Sequence, residues 1–77
     1  MTPEQSRAAR GWLDLTQDEL AKRANVSLST VRDFEKGRRT PIGNNLEAMR
    51  RVFRDSGISL TFSESGEATG IAVAGKK

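Results

Sequence analysis

Residues 17–41 read QDELAKRANVSLSTVRDFEKGRRTP, and this stretch decides the fold. Thr16 and Glu19 have the spacing of a capping box, in which each residue satisfies a free backbone N–H of the other, so a helix is predicted to begin there. Asn25 interrupts that helix, and Ser27 is the N-cap expected for the next one. The stretch therefore predicts two short helices joined by a tight turn.

Several positions of this stretch have separate physical reasons. Ala21 is small where two closely crossing helices need a small residue, and Asn25 suits a left-handed turn because asparagine tolerates positive φ better than most residues. The expected apolar contacts between the helices come from Leu20, Val26, Val31 and Phe34. Two short helices at this spacing match the helix-turn-helix plan, whose second helix enters the major groove of DNA.

A helix is predicted on each side of this pair. Thr2 and Gln5 form a capping box for the first, and Asn44 with Glu47 reads as a box that opens the fourth, which Gly57 ends. The apolar stripe of the fourth helix consists of Leu46, Met49, Val52 and Phe53.

From Ile58 onward, apolar residues recur at every second position rather than at the helical spacing of three and four. Alternating residues from Ile58 to Phe62, then Ile71 and Val73 beyond a polar segment, predict a β-hairpin. We therefore divide the chain into a DNA-binding domain, residues 1–57, and a carboxy-terminal hairpin and tail, residues 58–77, whose last three residues are expected to be frayed. Two interpretations of the hairpin stay open: it covers the helical bundle, or its edge strand pairs with a second copy and dimerises the chain.

Composition excludes several classes of function. The chain has 77 residues, no cysteine and no histidine, which removes disulfides, thiol nucleophiles and most zinc sites; no catalytic constellation, metal or cofactor is expected. The net charge of +3 lies wholly in residues 1–57, where eleven basic residues face eight acidic ones. Without an apolar span or a signal-peptide pattern, the protein is expected in the cytoplasm and off the membrane.

The motif closely resembles the phage repressor and Cro-like helix-turn-helix family, also called Xre, over about residues 6–56. The matching positions are Gln17, Leu20, Ala21, Val26, Ser27, Thr30, Val31, Glu35, Gly37 and Pro41. The resemblance implies a mainly α, lambda-repressor-like bundle of four or five helices, here followed by the β-hairpin. It also implies binding of double-stranded DNA as a two-fold dimer.

The resemblance further implies which side chains face DNA. The base-contacting set is Ser27, Leu28, Ser29, Arg32 and Asp33. Arg32 suits guanine O6 and N7, although a lone helix arginine is more often simply solvated. Asp33 could accept from cytosine N4, but phosphates repel a carboxylate, so a solvated role stays open for it.

Other residues would hold the DNA backbone. Gln17 resembles the family's phosphate anchor, and the remaining phosphate contacts are Thr30, Lys36, Arg38, Arg39 and Thr40. Arg38 and Arg39 could instead belong to a solvated loop. Arg10 and Glu35 match a pair that is structural in the family, so we expect a partly buried ion pair between them.

These features predict a sequence-specific transcriptional regulator that binds a palindromic operator as a homodimer. Two alternatives are an antitoxin that also neutralises a toxin, and an adaptor that contacts proteins and no longer reads DNA. A protein partner is therefore possible, whereas no small-molecule ligand is expected because the chain leaves no room for a ligand-binding domain.

Overall fold

The computed structural model describes residues 1–74, so the expectation for the last three residues lies outside the described part of the chain. This part contains four helices and one antiparallel hairpin, which confirms the predicted mainly α bundle with a carboxy-terminal hairpin. The elements are α1 (Pro3–Leu13), α2 (Gln17–Ala24), α3 (Leu28–Glu35), α4 (Gly43–Asp55), β1 (Ile58–Phe62) and β2 (Ala68–Val73).

The boundaries of the first three helices follow from local hydrogen bonds. At α2 the Glu19 N–H donates to Thr16 Oγ1 and the Thr16 N–H donates to Glu19 Oε1, each at 3.0 Å, which completes the predicted capping box. Asn25 ends α2 in the left-handed conformation with φ 57°. Ser27 then caps α3 by accepting from the Thr30 N–H at 3.1 Å. Asn25 and Ser27 thus determine the turn between the two helices through local interactions.

The start of α4 differs from the prediction. The helix begins at Gly43 with Ile42 as its N-cap, and no side chain caps it. Asn44 consequently lies inside the first turn, where its backbone is helical and cannot adopt the extended conformation of an N-cap. Glu47 instead pairs with Arg50, with Oε1 2.7 Å from Nη2, so the predicted capping box of Asn44 and Glu47 is wrong.

One apolar core joins the helices to the hairpin. Ala21 is 3% exposed where α2 crosses its neighbours, as the requirement for a small residue predicted. The other buried residues of this core are Ala9, Leu20, Ala24, Val31, Phe34, Met49, Phe53 and Ile58, and the half-buried Ile71 and Val73 pack against them. The hairpin therefore covers the bundle, which is one of its two predicted roles.

Gln5 links α1 to the hairpin. Its side-chain oxygen accepts from the Thr2 N–H at 3.0 Å, which closes the capping box of α1. Its Nε2 donates to the carbonyls of Thr61 at 3.1 Å and Gly70 at 3.0 Å, one on each strand. This buried amide thus satisfies three backbone groups, two of which are more than fifty residues away in sequence.

Candidate nucleic-acid interface

The exposed side of α3 carries a polar stripe. Val31, Phe34 and Glu35 turn inward and are buried, so the opposite side of this eight-residue helix is free. Positions spaced by three and four share one helical face, within an arc of about 100°. The residues on that face are Ser29, Arg32, Asp33 and Lys36, which we call the α3 stripe; all but the half-buried Asp33 are exposed. The stripe presents hydroxyl, guanidinium, carboxylate and ammonium groups to the outside of the molecule.

Two other predicted base-contacting residues have additional roles. Ser27 caps α3, and its hydroxyl also lies 2.7 Å from Thr30 Oγ1 and 3.1 Å from Ser29 Oγ. Leu28 is half-buried and packs against the core, so only its outer edge is accessible. The structure therefore groups Ser29, Arg32 and Asp33 on the open face and leaves Ser27 and Leu28 at its margin.

A basic turn follows α3 and borders a shallow cleft. The Asp33 carbonyl accepts from the N–H groups of Arg38 and Arg39, at 2.9 and 3.4 Å, which folds this turn back against the helix. Lys36, Arg38, Arg39 and Thr40 are all exposed. Between the turn, α3 and the start of α4 lies a cleft of about 240 Å³, lined by Ser29, Thr30, Asp33, Arg39, Thr40, Pro41, Ile42 and Asn45. Of the predicted phosphate contacts, Lys36 thus ends the α3 stripe and Arg38, Arg39 and Thr40 follow it, whereas Thr30 lines the cleft.

Gln17 lies at the amino terminus of α2, next to the carboxy-terminal end of α3. Its Nε2 donates to Glu35 Oε1 at 3.2 Å, so the side chain is held by the core rather than freely extended. The first backbone N–H groups of a helix have no intrahelical partner and carry partial positive charge. A phosphate at this helix end would meet these donors, together with the second amide hydrogen of Gln17.

Glu35 is the centre of a buried polar network. Its carboxylate is 2.7 Å from Arg10 Nη2 and is only 1% exposed, while the Arg10 side chain is 19% exposed. Ser6 Oγ donates to the same carboxylate, and Arg7 donates to the Glu35 main-chain carbonyl at the end of α3. Arg10 also donates to the Leu15 carbonyl at 3.0 Å. The network therefore joins α1, α2 and α3 behind the α3 stripe.

The network keeps Glu35 ionised. Burial alone would raise the pKa of its carboxyl, but hydrogen bonds from Arg10, Ser6 and Gln17 together hold the pKa below its ordinary value of 4.5. Because the Arg10 guanidinium of α1 pairs with the carboxylate, the negative charge is neutralised inside the molecule. Glu35 consequently does not present its charge to an anionic ligand, although it belongs to α3.

Sequence reasoning missed several residues of this region. Ser6 precedes Arg10 by four positions and so shares its helical face, a signal that could have placed it beside Glu35. Asn45 of α4 and its N-cap Ile42 enter the cleft from beyond the basic turn, and no local pattern marks them. Arg7 reaches the end of α3 through tertiary packing alone.

Fold and surface together define a helix-turn-helix protein whose second helix is exposed along a polar stripe. A family model described as helix-turn-helix matches residues 7–56, which is most of the chain. The chain belongs to this helix-turn-helix family of Xre-like, DNA-binding regulators. No curated protein matches the chain significantly. Within residues 1–74, no helix combines the length and the apolar character that crossing a membrane requires.

Proposed function

We propose that the protein is a homodimeric transcriptional regulator that reads a palindromic operator through the α3 stripe. Two copies of α3 would enter successive major grooves about 34 Å apart, one on each half-site. Because the proposed ligand is DNA, a regulator of this bacterial or phage type acts in the cytoplasm. Regulation would come through its concentration, its dimerisation or a protein partner.

One observation carries the proposal: α3 is buried on one side and exposes a row of hydrogen-bonding side chains on the other. Arg32 is the member of that row suited to bidentate recognition of guanine. Donors that suit phosphates lie at the amino terminus of α2, where Gln17 contacts Glu35 of α3, and in the turn around Arg38 and Arg39. A helix that merely covered the core would not require this arrangement.

Selection of bound sequences from random duplex DNA tests the proposal most directly. We expect an enriched site with two inverted half-sites, whose centres are about one helical turn apart or a multiple of it. Enrichment of one half-site without an inverted copy would contradict the homodimer. If no sequence is enriched, the protein does not recognise a specific DNA sequence, which is the result that the adaptor alternative predicts.

Arg32→Ala tests the assignment of base contacts. We expect it to weaken binding to the selected site by about 1–3 kcal/mol and to relax the preference at one base position, because alanine cannot form the two hydrogen bonds to guanine. Arg51→Ala is the matched control, since Arg51 is an equally exposed helix arginine on α4, away from the stripe. If both variants bind alike and keep the same base preferences, Arg32 does not read a base.

A further inference from the structure

The two edges of the hairpin differ. Thr61 pairs with Gly70 and Phe62 with Ala68, so Thr69 forms a bulge in β2. Gln5 of α1 donates to a carbonyl on each strand, Thr61 on β1 and Gly70 on β2, so the bulge is the feature that distinguishes the two edges. A β-bulge is a common protection against pairing at a strand edge. β1 has no bulge, lysine or proline over its five residues, and this regular strand is the more open template of the two.

The alternation of hydrogen-bonded pairs between β1 and β2 identifies which backbone N–H and C=O groups lie on the free edge of β1. The Ala74 N–H donates to the Gly57 carbonyl, and the Ser63 N–H donates to the Glu67 carbonyl, both at 2.8 Å. Since hydrogen-bonded pairs alternate along an antiparallel ladder, the odd-numbered residues of β1 face β2. The backbone groups of Ile58, Leu60 and Phe62 therefore point away from β2.

The surface beside this edge is apolar and basic. A cleft of about 190 Å³ separates β1 from α4 and is lined by Arg50, Arg54, Ile58, Ser59, Leu60 and Phe62. Phe62 is 50% exposed, and among the described residues the only other large hydrophobic side chains so exposed are Trp12 and Ile42, which are not in the hairpin. Open backbone groups and apolar side chains thus coincide along β1, and two arginines of α4 lie across the cleft from them.

We propose that a second copy of this chain occupies the edge, with β1 pairing antiparallel to β1 about a two-fold axis at Leu60. This register pairs Ile58 with Phe62 of the second copy and forms about six ladder hydrogen bonds. Moving the centre to a neighbouring residue leaves only about four, because fewer outward-facing groups overlap. The sheet then has four strands, which relieves the marginal stability of a two-stranded one.

Charge also favours this register. Continued beyond the strand, it aligns Ser56 with Glu64 of the second copy, so that the exposed acid approaches the carboxy-terminal turn of α4. Arg54, which is exposed, lies in that turn. A two-fold axis perpendicular to the sheet keeps both helical bundles on the same side, so each copy offers Arg54 to Glu64 of the other. The interface is thus complementary in backbone, apolar surface and charge.

Disulfide trapping tests the register, because the chain has no native cysteine. The two-fold at Leu60 opposes Ser59 and Thr61 of different copies in a pair without hydrogen bonds, with Cα atoms about 4.5 Å apart, within disulfide reach. Ser59→Cys and Thr61→Cys are prepared separately and then mixed. Mild oxidation should yield covalent dimers from the mixture, whereas each variant alone places its cysteines about 7–8 Å apart and should not crosslink.

Failure of the mixture to crosslink would overturn the proposal. Crosslinking of either variant alone to the same extent as the mixture would also overturn it, because the two-fold axis would then lie at a residue other than Leu60. Ala72→Cys serves as a control, since Ala72 is exposed on β2 and should crosslink in no combination with the other two variants. Reaction of each free thiol with a small reagent confirms that all three cysteines are accessible.

Sedimentation without DNA tests the surface independently. Phe62→Lys should raise the dimer dissociation constant about tenfold or more, because it places a charge in the apolar part of the interface. Ile42→Lys, which changes the most exposed large hydrophobic residue outside the hairpin, should leave the constant unchanged. The reverse result, or a monomeric parent protein, would overturn the interface. Circular dichroism verifies that the half-exposed Phe62 can be replaced without unfolding.

This inference rests on the homodimer of the proposed function but can fail separately from it. Selection of a palindromic DNA site without crosslinking through β1 would support the proposed function and contradict the β1 interface. A crosslinked β1 dimer that selects no DNA sequence would support the interface and contradict the proposed function.

Discussion

Arg32 and Glu35 belong to the same helix but meet opposite environments. Arg32 is exposed on the α3 stripe, whereas Glu35 is 3% exposed, pairs with Arg10 of α1 and accepts a hydrogen bond from Gln17 of α2. An anion near a phosphate surface would reduce binding, so the internal neutralisation of Glu35 leaves the stripe available to DNA. At this scale, the exposed residues proposed to contact DNA are distinct from the buried residues that hold α3 in place.

At the same scale, Glu35 makes stability depend on pH. Its folded pKa is lowered, so its stabilising contribution is present above the ordinary value of 4.5 and is lost as the pH falls through the folded pKa. We expect Glu35→Gln to lose less stability than the parent protein on acidification from neutral pH. Urea unfolding followed by circular dichroism across this range measures the effect. Parallel pH profiles for parent and variant would contradict this role.

Arg38 provides a test of backbone binding. It is exposed in the turn after α3, where a phosphate contact would add affinity without sequence information. We expect Arg38→Ala to weaken binding to all sequences alike and to reduce the slope of log affinity against log salt by about 0.9 for each phosphate that the variant no longer neutralises. Titrations of a selected and a scrambled duplex at several salt concentrations measure both effects. An unchanged slope would assign Arg38 to solvent.

Among the elements, α4 differs from the others because no side chain caps its amino terminus. α1, α2 and α3 begin with hydroxyl caps at Thr2, Thr16 and Ser27. At α4 the N-cap is Ile42, which has the required extended backbone and is 69% exposed, yet has no acceptor for the free N–H groups. The start of α4 is therefore an unoptimised helix end beside the proposed DNA surface.

Ile42→Ser should stabilise the protein. The serine oxygen can accept from an N–H of the first turn of α4, which is worth about 0.5–2 kcal/mol, and little buried surface is lost. Chemical denaturation measures the difference in unfolding free energy. Ile42→Ala is the control because it removes the same apolar side chain without adding an acceptor, and an equal gain from both variants would rule out capping as the cause.

Across the whole molecule, Gln5 connects the first helix to the last two strands. Its amide group donates to both strands and accepts from the start of its own helix. The hairpin is thus held by a polar anchor as well as by the apolar contacts of Ile58, Ile71 and Val73. This connection fixes the position of β1, and with it the proposed dimer edge, relative to α3.

Two substitutions test this anchor. Gln5→Leu should cost about 1–3 kcal/mol, because two backbone carbonyls and one N–H lose a buried partner. Gln5→Glu is nearly isosteric but directs a carboxylate at two carbonyl oxygens, so we expect it to be less stable than Gln5→Leu at neutral pH. Protonation restores a donor, so its stability should recover as the pH falls. Unfolding curves at neutral and acidic pH measure both effects. If the unfolding free energy of Gln5→Glu equals that of the parent protein, Gln5 does not anchor the hairpin.

Local patterns account for most of the successful predictions. The capping boxes at Thr2 and Thr16 and the left-handed Asn25 depend on residues within four positions, so the sequence displays them directly. The same local rule failed at Asn44, because the helix begins two residues earlier than that pattern predicts, with Ile42 as its N-cap. A capping sequence therefore determines where a helix begins only if no nearby residue is an equally compatible starting point for the packed helix.

The amino-acid sequence by itself determined the four helices, the hairpin and the exposed polar face of α3, because helix caps and apolar periodicity act over a few residues. Tertiary structure alone decided that Gln17 supports Glu35, that Gln5 bridges both strands, and that the regular edge of the hairpin belongs to β1. These features depend on contacts between distant segments and on the bulge at Thr69, and such contacts exist only once the chain has packed.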